Sequence, residues 1–305
     1  MRILVMGGTG FIGRVLVKYL LECGHEVIIG SSGKTDVKFE GKINYILFDR
    51  FNPLSVKEKL TGFDHLDIVY DQLAFRVSDV KDIIETLNGR TDRYVFTSSA
   101  AVYSGISDIL EEEMFDPYNF NIDEKQSERS YADGKRNVEA YLYQNAEFMV
   151  ASARFPSILG NGDSTLRFQD HLSRIQEGKK FWVPQKSGKR NYTWVDDAGR
   201  FLAWIGTSKK KGPYNGASDQ SFDIMSFLNL MGSSMGKTVS FESCFVSDKS
   251  RYYRDEDFIL STRKAYSEGF TFTDTKKWMR LEVESYINNL ELKANSQEYA
   301  DSLFP

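Results

Sequence analysis

Short apolar runs alternate with amphipathic stretches through the first half of the chain. Runs at Arg2–Met6, Glu26–Ile29, Ile43–Phe48, Leu66–Leu73, Tyr94–Ser98 and Phe148–Arg154 predict strands. Between the first two, Ile12, Val15, Leu16, Tyr19 and Leu20 recur at helical spacing within Phe11–Cys23, and Asp79–Leu87 and Asp133–Gln144 carry the same period. Strands alternating with helices imply βαβ units and a parallel sheet covered on both faces. The expected fold class is therefore α/β, a doubly wound sheet of Rossmann type, whose ligand lies across the carboxyl ends of the strands.

Past Arg154 the rhythm breaks at Pro156, Gly160, Gly162, Gly178, Pro184 and Gly188. Helical patterns near Ser164–Gln176 and Phe222–Met231 flank Tyr192–Asp197, which reads as a strand. The expected organisation is a nucleotide-binding domain over 1–155, to which 189–215 returns. A smaller substrate-shaping domain is built from 156–188 and 216–292, and 293–305 is a polar, frayed tail.

Composition narrows the possibilities. With 305 residues, 41% hydrophobic and 27% charged, the chain is an ordinary globular protein. Lys+Arg 39 against Asp+Glu 43 leaves a net charge of −4, and the pI near 5.6 argues against a protein that coats nucleic acid. The basic run Lys209–Lys211 reads as a solvated turn. Cys23 and Cys244 form no spaced framework, which suits a reducing compartment. The apolar run Ile3–Met6 is too short for a leader, and no stretch approaches the ~18–20 apolar residues of a membrane span. A cytoplasmic protein without membrane contact is expected. His25, His65 and His171 stand apart from other ligating residues, so no metal is predicted. Glu111-Glu112-Glu113 reads as a solvated loop. Gly232-Ser233-Ser234-Met235-Gly236 has the wording of a hydrolase nucleophile elbow. A helical pattern precedes it and no histidine follows His171, so it reads as a helix C-cap.

The chemistry is concentrated elsewhere. Gly7-Gly8-Thr9-Gly10-Phe11-Ile12-Gly13 follows the first strand and opens the first helix. Its early glycines allow a tight turn, Gly10 lets backbone approach a pyrophosphate, and Gly13 lets helix pack on sheet. The helix N-terminus then offers N–H groups to the phosphates. An acidic residue that grips the adenine ribose is expected ~20 residues on. The second strand instead ends Gly30-Ser31-Ser32-Gly33-Lys34. Hydroxyls and Lys34 would accept a 2′-phosphate, which favours NADP over the alternative that Ser31 simply bonds the ribose of NAD. Asp49-Arg50 would sit beside the adenine, with Arg50 alternatively a surface charge.

The fifth strand ends Thr97-Ser98-Ser99-Ala100-Ala101, and Tyr131-Ala132-Asp133-Gly134-Lys135 opens a later helix. Tyr131 and Lys135, at i and i+4, share a helix face. The set suits removal of an alcohol proton during hydride transfer, with Ser99 orienting the substrate oxygen. A tyrosine titrates near ~10, and lowering it by about three units needs ~4 kcal/mol. One ammonium at ~4 Å and a dielectric of ~20 supplies that much, the role expected of Lys135.

With these motifs the sequence resembles the extended short-chain dehydrogenase/reductase superfamily, in its NAD(P)-dependent epimerase/dehydratase family. Arg154-Phe155-Pro156-Ser157-Ile158-Leu159-Gly160 and Arg190-Asn191-Tyr192-Thr193-Trp194-Val195-Asp196-Asp197 add to the likeness, which runs from Met1 to about Asp197 with a weaker echo to Phe272. The resemblance implies Ser99, Tyr131 and Lys135 as the catalytic set. It implies Gly7, Gly10, Phe11, Ile12, Gly13, Ser31, Ser32, Lys34, Asp49, Arg50, Gln72 and Leu73 as cofactor-binding, and Phe155, Ser157 and Ile158 beside the nicotinamide. Arg190, with Ser157, would meet a nucleotide-sugar diphosphate. A homodimer through the helices flanking Tyr131 is also implied. Two departures matter. Ala100-Ala101 replace the Asp-Glu pair of nucleotide-sugar dehydratases, which disfavours loss of water, and Ser157 stands where sugar epimerases often have Asn. Tyr131-Ala132-Asp133-Gly134-Lys135-Arg136 also looks like a divergent branch containing chloroplast stem-loop-binding proteins, some of which act on RNA and lack the triad.

Overall fold

In the computed structural model, which describes residues 1–33, 37–41, 43–106, 108–125, 129–184, 186–243, 253 and 255–303 (291–303 as backbone alone), one parallel sheet organises the chain. Its strands are β1 (Arg2–Met6), β2 (Glu26–Ser31), β3 (Ile43–Leu47), β4 (Ile68–Asp71), β5 (Arg93–Ser99), β6 (Met149–Phe155) and β7 (Gly212–Asn215). They lie in the order β7-β6-β5-β4-β1-β2-β3. Chain order reverses between β1 and β4, which opens a crevice at their carboxyl ends. Register levels that edge, since Met6 pairs with Gly30 on one side and Asp71 on the other.

The helices are α1 (Phe11–Glu22), α2 (Pro53–Leu60), α3 (Lys81–Leu87), α4 (Tyr131–Asn145), α5 (Arg167–Gln176), α6 (Val195–Thr207), α7 (Ile224–Ser234), α8 (Arg263–Ser267) and α9 (Thr275–Leu303). Alternation along β1 decides the layers. Ile3 and Val5 join Leu16, Leu20, Phe201 and Leu202 under α1 and α6, while Leu4 and Met6 join Val56, Ile83, Ile84 and Val138 under α2, α3 and α4. Helices on both faces leave the inner strands buried throughout, hence their unbroken apolar runs. The α1–α6 contact is tight: a Cβ on Gly199 would stand 2.6 Å from the Val15 side chain. A further core gathers Phe168, Leu172, Phe227, Met231 and Trp278 from α5, α7 and α9.

Three expectations need correction, and one helix was missed. Tyr192–Asp197 is a strand only at Thr193–Trp194, and α6 starts at Val195, where Asp196 and Asp197 in the first turn suit the positive end of the helix. The backbone expected to fray after Leu292 stays helical to Leu303. Glu112 is not solvated: it is 3% exposed and accepts a 2.8 Å bond from the Asn215 N–H. Helix α2 was not foreseen, although Asn52 caps it by accepting from the Leu54 and Ser55 N–H groups and Pro53 follows at once. The Gly232–Gly236 segment closes α7, with Gly236 at φ +66°. Cys23 is exposed and free, and Cys244 lies outside the described residues.

Beneath the crevice, Arg154 of β6 and Glu139 of α4 form a fully buried ion pair, Nε to Oε1 2.9 Å. Glu139 also accepts from the Ser98 hydroxyl at 2.6 Å, and Arg154 donates to the Tyr103 hydroxyl and to the carbonyls of Glu112 and Phe115. Removing one partner of such a pair strands the other charge in the interior. Arg154→Met should cost ~3–5 kcal/mol of stability, read as a lower urea midpoint.

Candidate active site

The turn after β1 is built around contacts that no side chain could share. A Cβ on Gly13 would lie 2.1 Å from the Gly7 carbonyl oxygen, so α1 starts against the turn only because residue 13 has none. Gly7, at φ +83°, makes the reversal, and its carbonyl accepts from the Gly10 N–H at 3.0 Å. Phe11 and Ile12 follow and face a cavity of about 480 Å³.

That cavity collects residues from distant parts of the chain. Gln72 follows β4; Thr97, Ser98 and Ser99 end β5; Tyr131 and Lys135 come from α4; and Phe155, Ser157 and Ile158 follow or end β6. Ser130 sets the start of α4, its hydroxyl accepting from the Asp133 N–H, which puts Tyr131 in the first turn and Lys135 one turn deeper. The Ser99 hydroxyl accepts from the Ala101 N–H at 3.2 Å and lines the same cavity wall as Tyr131. Lys135 is buried and donates to the carbonyls of Ala74 and Thr97 at 2.8 and 2.9 Å, with its ammonium 4.5 Å from the Phe96 ring. Burial lowers its pKa to about 7, against the opposing charge of Asp71.

The tuning of Tyr131 differs from the expectation. Desolvation within the cavity raises its pKa even though the residue as a whole is 54% exposed, and the opposing influences are the neighbouring Ser99 hydroxyl and the positive charge of Arg167. Lys135 spends its ammonium on two carbonyls, 5.9 Å from the Tyr131 ring. Arg167, at the start of α5, was missed because nothing in the sequence ties it to Tyr131; α5 brings it to the same cavity. Arg190 also lines the cavity and donates to the Ser157 hydroxyl at 2.8 Å, so these two candidates meet.

A second cavity, about 790 Å³, lies beyond β2 and β3 and shares Phe75 with the first. Ser31, Ser32, Asp49, Arg50 and Leu73 line it. The Ser31 hydroxyl accepts from the Gly33 N–H at 3.2 Å, and Lys34 lies outside the described residues. Arg50 is neither a surface charge nor a free cation. It grips Asp71 through two bonds of 3.0 and 2.8 Å and donates to the Asp79 carbonyl. Burial alone would raise the Asp71 carboxyl, but Arg50, the Tyr94 hydroxyl and the Leu73 N–H together hold it below its usual range. His65, read as standing apart, has its Nε2 3.3 Å from an Asp92 carboxylate oxygen and lies near Asp67. None of the three lines either cavity. His171 is buried, with Nδ1 2.7 Å from the Arg167 carbonyl.

The switch-point crevice, the glycine turn and the adjoining cavities define a Rossmann-type, dinucleotide-binding α/β protein. The chain belongs to the NAD dependent epimerase/dehydratase family, whose model matches residues 3–217. It is 27% identical, over 94% of its length and 74% of the relative's, to the chloroplast stem-loop binding protein of 41 kDa b of Arabidopsis thaliana. It is 28% identical to a 3-beta-hydroxysteroid dehydrogenase of Mycolicibacterium neoaurum, over 64% of its own length and 57% of that protein's. Its fold is similar to that of the UDP-glucose 4-epimerase of Thermus thermophilus, solved with NAD, at a TM-score of 0.70 and 21% identity, over 94% and 99% of the two chains. No helix among the described residues is long and apolar enough to cross a membrane.

The buried lysine gives a pH signature. An unfolded lysine titrates near 10.5 and Lys135 near 7, so folding releases its proton in that interval. The stability that passes through this group is complete above pH 10.5 and is lost as pH falls through about 7. Urea midpoints should rise from pH 7 towards 10, and Lys135→Met should flatten the rise.

Proposed function

We propose that the chain is an NAD(P)-dependent oxidoreductase or epimerase acting on a nucleotide-sugar or related alcohol, with Tyr131 as acid and base. The observation that carries this reading is the convergence of Ser99, Tyr131 and Lys135 on the wall of one cavity. The residues fit a dinucleotide. Gly13 leaves α1 flush with the turn, and the buried Gln72 Nε2 and Arg50 Nε have no partner. Gly7, Gly10, Phe11, Ile12 and Gly13 would hold the pyrophosphate through backbone N–H groups. Ser31, Ser32, Asp49, Arg50 and Leu73 would border the adenosine, and Gln72, Phe155, Ser157 and Ile158 the nicotinamide. When bound, the cofactor supplies a hydride acceptor and donor.

This chain's own residues then handle the proton. Ser99 orients the substrate hydroxyl, and the Tyr131 oxygen takes its proton as the alcohol becomes a carbonyl. In an epimerase Tyr131 returns the proton after the keto form has turned; in a reductase it only donates. Arg190 pairs with the diphosphate, and residues 156–188 and 216–292 shape the substrate end. Ala100 and Ala101 line the cavity without a carboxylate, which disfavours dehydration. The likeness in fold to a UDP-glucose 4-epimerase supports the sugar, and the steroid dehydrogenase relative supports the wider class of alcohols. Tyr131→Phe should lower turnover ~10²–10⁴-fold on a substrate found by screening, with dinucleotide affinity kept.

The absence of a carboxylate at the end of β2 favours NADP. Titrations should show NADPH binding more tightly than NADH, and Lys34→Ala should narrow the gap; tighter NADH would reverse the assignment. The Arabidopsis relative's name favours a second reading, a fold kept for binding RNA. It would show as RNA retention on filters that falls steeply with salt and is indifferent to Tyr131→Phe.

A further inference from the structure

Arg167 is held in a way that a solvated surface arginine is not. It opens α5 directly after Leu166, whose φ of +54° lies in the left-handed region that a leucine rarely adopts. Asp163, 4% exposed, organises this turn. It accepts from the Thr165 N–H at 2.9 Å and hydroxyl at 2.7 Å, and lies 3.4 Å from both Nε and Nη2 of Arg167. The Thr165 hydroxyl accepts a further bond from Arg167 Nε at 2.8 Å. The preceding loop is clamped in turn, since Arg14 donates to the Asn161 carbonyl and Glu282 accepts from the Asn161 N–H. The guanidinium is thus oriented from behind, and its Nη1 makes no hydrogen bond.

The cavity around it has one sign of charge. Its described lining includes Lys135, Arg167 and Arg190 but no Asp or Glu. Lys135 donates to two carbonyls and Arg190 to Ser157, while Arg167 is held by Asp163 and Thr165 through Nε and Nη2, which leaves its Nη1 edge for a ligand. Its charge also reaches the Tyr131 hydroxyl. A guanidinium with a fixed fork and a free edge suits a carboxylate or phosphate oxygen. Resting on the reading of Tyr131 above, we propose that Arg167 binds an oxyanion, a carboxylate or phosphate ester, which the substrate carries beside the carbon that reacts. This anion is separate from the diphosphate assigned to Arg190, and Asp163 acts as a positioning residue.

Calorimetry with saturating NADP⁺ tests this on matched probes: UDP-glucose against UDP-glucuronate, and glucose against glucuronate and glucose 6-phosphate. An anionic member of either set should bind about tenfold more tightly than its neutral counterpart. Arg167→Gln should abolish that preference, and Arg167→Lys should restore part of it, with dinucleotide binding kept in both variants as the check on folding. Which anion gains most separates carboxylate from phosphate. Preference within the free sugars alone supports the oxyanion site and counts against a nucleotide-sugar. Equal binding of neutral and anionic members, no binding of any probe, or a preference that survives Arg167→Gln overturns the proposal. Turnover that survives Tyr131→Phe would sink the reading of Tyr131 while leaving this binding comparison intact.

Discussion

The buried pair between Arg154 and Glu139 joins the two halves of the site. Both side chains are fully shielded from solvent, where an unpaired charge would be prohibitive, so each fixes the other. Glu139 lies one turn beyond Lys135 on α4 and holds the Ser98 hydroxyl, next to Ser99. Arg154 reaches the Tyr103 hydroxyl, which bonds Asn215 of β7, and Asn215 in turn receives the buried carboxylate of Glu112 on its N–H. One ion pair thereby ties α4, the ends of β5 and β6, and the edge strand β7 into a frame. Ser99 and Tyr131 face one cavity from two elements that this frame holds together.

A second buried pair performs the same service beside the second cavity. Arg50 and Asp71 lock the end of β3 to the end of β4, and Asp71 also receives the Tyr94 hydroxyl and the Leu73 N–H. With its charge consumed there, Arg50 contributes shape and one unpartnered donor atom to the larger cavity rather than a free cation. Lys135 sits close enough to this pair for both charges to act on it, Asp71 favouring its ammonium and Arg50 opposing it. The two cavities are thus electrostatically linked through buried groups, and Phe75 lines both.

Membership of the epimerase/dehydratase family fits the architecture of the crevice. The glycine turn opens the crevice, and Ser99, Tyr131 and Lys135 share a cavity wall with Ala100 and Ala101, where no carboxylate stands. The segment after β6 adds a cationic lining, where Arg167 and Arg190 come to the cavity from opposite ends of a stretch that breaks the regular alternation.

The sequence by itself determined the sheet and its turn. Parallel strands buried on both faces must be continuously apolar, and a helix that starts flush with a tight turn demands glycine at position 13, so both leave a local signature. Tyr131 and Lys135 were legible for the same reason, being one helical turn apart. Interactions between residues far apart in the chain were not. Arg50 looks like any surface arginine until Asp71 is brought beside it, and Glu112 like any member of an acidic run until Asn215 covers it. Tyr192–Asp197 resembled a strand because its buried residues alternate for a few positions, whereas the packing of α6 on α1 decided for a helix. Most of all, Arg167 has no motif: its place beside Tyr131 depends on a loop held by Arg14 and Glu282, contacts that exist only once α1 and α9 have docked. Local spacing encodes elements and turns, whereas the electrostatics of a cavity is set by which charges the packing leaves without partners.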